Sequence, residues 1–298
     1  MLFQVRRGAV FLVVNMNKKK IPIYTCIDDY GLGLSHNKII REISRNGLVS
    51  GVSTFVGMAN FGPEANALIN VSKETSFEMG LHLDFTEFFP LIRRPIYLSS
   101  DFCCSIVIIF SLMRLLNEHS IIESIEKQLK KFKLYFNKAP DFIDGHYHLH
   151  QIPTISKILI EILKKEKFNG WIRSTKFQDN YESSLPMLET MKKRYLNHIG
   201  RKARKKFIDN FRTNHLFDGY TNLKSTNNYI EDFKKLLRSI DSPTLIMLHS
   251  GSSSDVVQID GHSPQVRDLE TEWLLGDFKK DCEDFNLEVV KDSKLLSL

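Results

Sequence analysis

A chain of 298 residues, 42% hydrophobic and 26% charged, is long enough for one large α/β domain with a substantial core and too apolar for a disordered one. Much of the formal net charge of +6 sits in residues 192–206 (KKRYLNHIGRKARKK), which lack the aromatic interleaving of a nucleic-acid module and read as a solvated helix face, with phosphates, an acidic lipid surface or an acidic partner as the alternatives. The cysteines, Cys26, Cys103, Cys104 and Cys282, show no CxxC spacing, which argues against a thiolate zinc site and fits a reducing cytoplasm.

Residues 1–20 read as an N-terminal extension: an apolar stretch follows two arginines, no small-residue cleavage site comes after it, and Met16 offers a second start. The expected catalytic domain is 21–298. Residues 21–27 (IPIYTCI) form a predicted buried strand, 36–46 a helix stopped by Gly47, 51–58 a second strand, 62–72 a helix with Pro63 in its first turn, and 79–85 a third strand. Residues 102–137 are predicted helical in two pieces. The first, 102–116, is the most apolar window but is too short for a membrane span and carries Arg114, so it reads as a buried or lid helix. A strand at 141–144 leads into DGHYHLH; 153–167 is helical; 171–174 and 243–248 are strands; 269–285 is a terminal helix before a last strand at 287–290. Strands alternating with helices predict a parallel sheet with helical crossovers, as a barrel or an open doubly wound sheet. No GxGxxG or GxxxxGKS loop follows the first strand, which argues against a dinucleotide or nucleotide fold.

Residues able to do chemistry gather where these strands end. Asp28 and Asp29 follow the first, His82 lies near the end of the third, and Asp144, His146, His148 and His150 follow the next. Arg173 sits in WIRS, and His249 closes PTLIMLH. In a parallel barrel those ends share one face, where active sites lie. Singly the signals are modest: an Asp pair can cap a helix, and a lone strand histidine can be a satisfied core residue. Three imidazoles within five residues are harder to bury without a purpose. A carboxylate with imidazoles makes an oxygen/nitrogen metal site, a neighbouring aspartate suits a general base, a histidine opposite suits a proton donor, and Arg173 suits orienting a carboxylate.

Four motifs in order, IDDYG at 27–31, GLHLDFTE at 80–87, DFIDGHYHLH at 141–150 and MLHSG at 247–251, resemble the YdjC-like carbohydrate deacetylases, which include chitooligosaccharide deacetylases and relatives from hopanoid biosynthesis. Weaker echoes are WIRS at 171–174, TNHLFDG at 213–219 and the pair Arg267 and Glu270. The resemblance runs from about residue 21 to the C-terminus. It implies a single distorted TIM-like (β/α) barrel of parallel strands with outer helices, and hydrolysis of the N-acetyl group of an acetamido sugar or oligosaccharide. By position it implies Asp29, His82 and His146 as metal ligands, Asp28 as general base and His249 as general acid; Arg173, from its own chemistry, is expected beside them among the catalytic residues. Tyr30, Asp144, His148 and His150 are expected at the substrate. The implied metal is magnesium, with zinc as the alternative. The expected partner is the sugar, not nucleic acid; a peripheral membrane contact and a homodimer stay open. Departures from the pattern are Tyr30 for Phe, Gly33 for Ser, Ser250 for Pro and Asn214 for an acid. Another metal hydrolase, acting on a phosphoester or a non-sugar amide, and a silent sugar-binding protein are the competing readings.

Overall fold

The computed structural model describes residues 19–92, 100–178, 185–254 and 263–296. Apart from Lys19 and Lys20, the expected extension lies outside these residues. Strand β1 (Ile21–Tyr30) is buried along nearly its whole length, as a central strand covered on both faces must be. Its flanks are β2 (Gly51–Thr54), β3 (Glu78–Leu83), β4 (Phe142–Gly145), β5 (Trp171–Ile172), β6 (Arg212–Thr213), β7 (Leu216–Asp218), β8 (Thr244–Leu248) and β9 (Leu287–Val289). The sheet order is β6-β5-β4-β3-β2-β1-β8-β7, with β9 on the first residues of β1, and every pairing is parallel. The sheet curls into a distorted TIM-like barrel, as expected. Its edges, β6 and β7, are consecutive in the chain. The gap is stitched by Asn214, whose side-chain oxygen accepts from Ser174 N at 2.7 Å while its Nδ2 donates to Ser174 O at 2.8 Å and Leu216 O at 2.9 Å. An acid at this position would lack the two donors, so the departure Asn214 is matched to closing the barrel.

The two faces of β1 divide the core. Tyr24 and Cys26 point inward with Phe142, Trp171, Phe217, Leu245 and Met247, while Ile23 and Ile27 meet the outer helices. Phe142 stacks on Trp171 at 4.6 Å over Gly80, where a Cβ would come within 2.1 Å of the Phe142 ring. Glu78 closes the amino-terminal end, accepting from Tyr24 Oη and Trp171 Nε1 at 2.7 Å and from Ser293 Oγ at 2.8 Å.

The outer helices are α1 (Leu34–Arg45), α2 (Phe61–Thr75), α3 (Ser100–Leu112), α4 (Glu118–Phe136), α5 (Pro153–Lys165), α6 (Met187–Ile208), α7 (Tyr229–Arg238), α8 (Pro264–Leu275) and α9 (Phe278–Asp284). Four expectations change. β1 runs on through Asp28 and Asp29 instead of stopping at residue 27. β2 stops at Thr54, well short of residue 58. The strand at 171–174 is two residues long. The helix at 269–285 is two helices, α8 and α9, broken at Gly276. The basic run lies on α6, whose exposed side carries Lys192, Arg194, Lys202, Lys205 and Lys206. All four cysteines are buried and unbridged. Among the described residues no helix is long and apolar enough to cross a membrane.

On α1, His36 is fully buried against Gly251, where a Cβ would sit 2.0 Å from its Nδ1. Burial, with the nearby Arg267 cation, pushes its imidazole down to about 3. The unfolded chain therefore binds the proton between the ordinary value of 6.5 and about 3, and folding stability falls as pH drops through that window. The contribution is about 1.4 kcal/mol per pH unit per such group. In urea unfolding followed between neutral pH and pH near 4, His36→Asn is expected to flatten this acid slope relative to wild type; parallel slopes would refute the assignment.

Candidate active site and metal centre

Consecutive strand residues point to opposite faces, so Asp28 and Asp29 should not share a site. They do because β1 carries a bulge: Ile27 pairs with Val52 but Tyr30 pairs with Thr54, and Asp29 takes φ +69°. Asp28 follows Tyr24 and Cys26 inward, and the kink swings Asp29 inward beside it.

Asp29 Oδ1 lies 3.4 Å from His82 Nε2 and 3.5 Å from His146 Nδ1, is buried, and has no hydrogen-bond partner. Its Oδ2 accepts from Arg267 Nη2 of α8 at 2.7 Å. The Arg267 cation and the two histidines outweigh burial and hold the Asp29 carboxyl well below the usual range. His82 Nδ1 is fixed by Asp144 Oδ1 at 2.8 Å and Ser53 Oγ at 3.0 Å, while Ser53 Oγ donates to Asp144 Oδ1 at 2.5 Å. Because the carboxylate can only accept, His82 carries a proton on Nδ1, which leaves Nε2, facing Asp29, as the atom it would offer a metal. A histidine held by a carboxylate behind it is the usual support of a metal-binding imidazole. Burial alone would lower His82, yet Asp144, with Asp28 and Asp29, raises it to about 9. The pocket therefore favours a positive charge where these ligand atoms meet. Asp29, His82 and His146 each offer a donor atom, all within 4.8 Å of one another. With metal–ligand distances of about 2.0–2.2 Å, donors 3.4 and 3.5 Å apart fit a single divalent cation. One carboxylate and two imidazoles make an oxygen/nitrogen donor set of the kind that holds a divalent metal.

Asp28 stands beside this group, held by a fork from Arg173: Nη1 to Oδ2 at 2.5 Å and Nη2 to Oδ1 at 2.7 Å. Arg173 Nη2 also lies 2.6 Å from Asp144 Oδ2, an ion-pair contact without hydrogen-bond alignment. Burial, reinforced by Asp144 and opposed by Arg173, raises the Asp28 carboxyl above its ordinary 3.8. Opposite, His249 follows β8. Its backbone N–H donates to Glu270 Oε2 at 2.5 Å and its carbonyl accepts from Arg267 Nη1 at 3.1 Å, so α8 clamps the loop from both sides. Burial, then Arg267, His82 and His146, push His249 down to about 3 against the pull of Asp29.

These groups open into a cavity of about 510 Å³. Asp28, Asp29, His82, His146, His148 and His249 line it; α3 contributes Phe102 and Ile108, and α6 contributes Lys192 and Tyr195. The model of the family described as YdjC-like protein matches residues 22–284 of this sequence. The chain belongs to the YdjC-like family. Among solved structures, a candidate cellobiose-phosphate cleavage protein from Enterococcus faecalis V583 matches with a TM-score of 0.62 at 15% identity, covering 94% of this chain and 100% of its own, and shares the fold. More distant are the Xyl-CE4 domain of a multidomain xylanase from the hindgut metagenome of Trinervitermes trinervoides and a family 4 acetyl xylan esterase from Clostridium thermocellum in complex with a cobalt ion. The first has a TM-score of 0.42 at 11% identity over 93% of this chain and 89% of its own. The second has 0.37 at 10% identity over 92% and 95%.

Within this YdjC-like barrel, three residues expected at the substrate lie away from the cavity surface. Tyr30 turns outward, its hydroxyl accepting from Arg41 at 2.6 Å and donating to Glu64 O at 2.8 Å. Asp144 is fully buried behind His82. His150 Nε2 donates to the Arg173 carbonyl at 2.9 Å. Each instead holds a neighbour: Asp144 the His82 ring, His150 the Arg173 carbonyl, and Tyr30 the Arg41 side chain and the Glu64 carbonyl. His148 does reach the cavity, in a left-handed conformation with φ 57° within the 3-10 turn His146–Gln151. Arg173, expected among the catalytic residues, is fully buried and reaches Asp28 and Asp144. Sequence reasoning missed Ser53 and Phe55; the Phe55 ring stands edge-on to His82 at 4.8 Å and to His146 at 5.2 Å. It also missed Asp84, which accepts from the backbone N–H groups of Thr86, Glu87, Phe88 and Phe89 and shapes the loop after β3. The signal for Asp84 was present, since an aspartate just past a strand is a turn former.

Proposed function

We propose that this YdjC-like chain is a metal-dependent hydrolase that removes the N-acetyl group from an acetamido sugar or oligosaccharide, releasing acetate and a free amine. The observation that carries the reading is Asp28, a carboxylate of raised basicity, on the same cavity surface as the Asp29, His82 and His146 donor set. A pure binding site has no use for a base there. Asp29, His82 and His146 would hold a divalent cation, and its contribution there would be Lewis acidity toward an acetamide carbonyl and a water molecule. Asp28 takes the water proton on a carboxylate oxygen while Arg173 keeps that carboxylate aimed. The new C–O bond forms as the C–N bond breaks. His249 delivers a proton to the departing nitrogen, which is a poor leaving group unprotonated. Because the resting imidazole is held neutral, the proton it delivers is the one Asp28 took from water, relayed through His249 to the departing nitrogen so that Asp28 returns to its carboxylate. Membership of a family whose fold neighbour is named for sugar-phosphate cleavage supports a sugar in the cavity. The catalytic domain is proposed to span 21–298, and the four unbridged cysteines support work in a reducing cytoplasm.

Acetate release from chitobiose and related acetamido sugars, with magnesium or zinc added, tests the reading. Metal-dependent release in wild type that disappears in His82→Ala is the expected result. Release of phosphate from sugar phosphates, without acetate from any acetamido sugar, would overturn it.

A further inference from the structure

Helix α3 is apolar all round. Cys103, Val107 and Ser111 are buried, and Cys104 and Ile108 line the cavity, yet Ile109 and Leu112 are 51% and 62% exposed. A helix apolar on every side is ordinarily covered on every side or meets lipid. Across the cavity, the first turns of α6 do the same: Leu188 is 72% exposed and Met191 55%. Among the described residues, nine of the thirteen exposed large apolar side chains fall in 102–115 and 187–191. These two stretches flank one cavity mouth, since Phe102 and Lys192 line it from opposite helices. A monomeric soluble surface rarely gathers its exposed apolar groups this way. Immediately beyond the apolar turns, the exposed side of α6 becomes cationic, with Lys192, Arg194, Lys202, Lys205 and Lys206. Apolar side chains that insert beside lysines and arginines that meet phosphate are the composition of an interfacial lipid-binding surface.

We propose that α3 and the amino-terminal turns of α6 dock on an anionic lipid bilayer, so that the cavity takes its acetamido sugar from a lipid-linked glycan at that surface. The substrate clause rests on the deacetylase reading; the docking clause does not. Charge selects lipid over a second copy of the chain, because pairing two such faces would bring like charges together.

The full-length chain is sedimented with vesicles of equimolar phosphatidylcholine and phosphatidylglycerol, and with phosphatidylcholine alone. Wild type is expected to bind the anionic vesicles, less so as salt is raised. The triple variant Ile109→Glu, Leu112→Glu, Leu188→Glu is expected to bind about tenfold more weakly, with an unchanged melting profile and unchanged acetate release from a soluble acetamido sugar. The variant Lys202→Glu, Lys205→Glu, Lys206→Glu is expected to lose the preference for anionic vesicles. Acetate release from an N-acetylglucosaminyl glycolipid embedded in those vesicles is expected to exceed release from the soluble sugar in wild type but not in the first variant. Wild type left in the supernatant overturns the docking surface. So does equal sedimentation of the first variant, or light scattering showing that this variant instead splits a lipid-free dimer. Equal turnover of embedded and soluble sugar overturns the substrate clause. Vesicle binding without acetate release from any sugar supports docking and removes the deacetylase reading alone.

Discussion

Arg173→Ala is expected to destabilise the fold by about 3–5 kcal/mol. The guanidinium is fully buried, forks onto both oxygens of Asp28 and touches Asp144 at 2.6 Å. Removing it leaves two buried carboxylates facing each other with no cation between them, the arrangement that low dielectric penalises most. The pH dependence gives a sharper test. In wild type, Arg173 and His82 overcome burial and hold Asp144 well below its ordinary 3.8, so Asp144 contributes stability above that value and loses it as pH falls. Without Arg173, burial and mutual repulsion raise both carboxyl groups, so stability falls as pH rises through their new values. The deficit against wild type, from urea midpoints, is expected to shrink between neutral pH and pH near 4. Arg173→Lys is expected to recover only part, because an ammonium cannot span two carboxylates as a planar fork does. A deficit below about 1 kcal/mol, within the range of an exposed ion pair, would show that the Arg173 network is not an indispensable charge cluster.

The gathering of Asp28, Asp29, His82, His146 and His249 was legible because each lies at or beside a strand end, and parallel strands put those ends on one face. The sequence did not show how two adjacent aspartates reach that face. The bulge at Asp29 depends on how β1 pairs with β2, which is not encoded in residues 27–30 alone. Nor did it separate residues that touch the cavity from those behind it: in DGHYHLH, Asp144 backs His82 and His150 backs Arg173, while His146 and His148 face the opening. The alternation follows from the left-handed turn at Tyr147 and His148, a conformation that non-glycine residues adopt only under tertiary constraint. Ser53 escaped notice because a serine in a strand has no spacing signature; its role exists only where Asp144 and His82 converge on it. The short strands β6 and β7 carry too few residues for periodicity to mark them, and Asn214 closes the barrel there by side-chain bonds.

Asp28→Asn is expected to lower kcat for acetate release by about 10²- to 10⁴-fold while leaving metal content unchanged, since Asp28 lies outside the Asp29, His82 and His146 donor set. The amide keeps the shape of the side chain but cannot take a proton from water. It also presents N–H to one prong of the Arg173 fork, which wants an acceptor, so some stability is lost together with the activity. A melting curve and a metal assay separate that cost from the chemistry. The pH profile provides the distinction that a structural defect would not imitate. Burial and Asp144 raise the Asp28 carboxyl above 3.8 against the pull of Arg173, so wild-type kcat/KM should fall on the acid side as this group protonates. In the variant the residual rate should lose that limb. A folded, metal-loaded Asp28→Asn protein with wild-type kcat would remove Asp28 as the base. The carboxylate beside the donor set would then serve, with Arg173, only to fix the charge of the pocket.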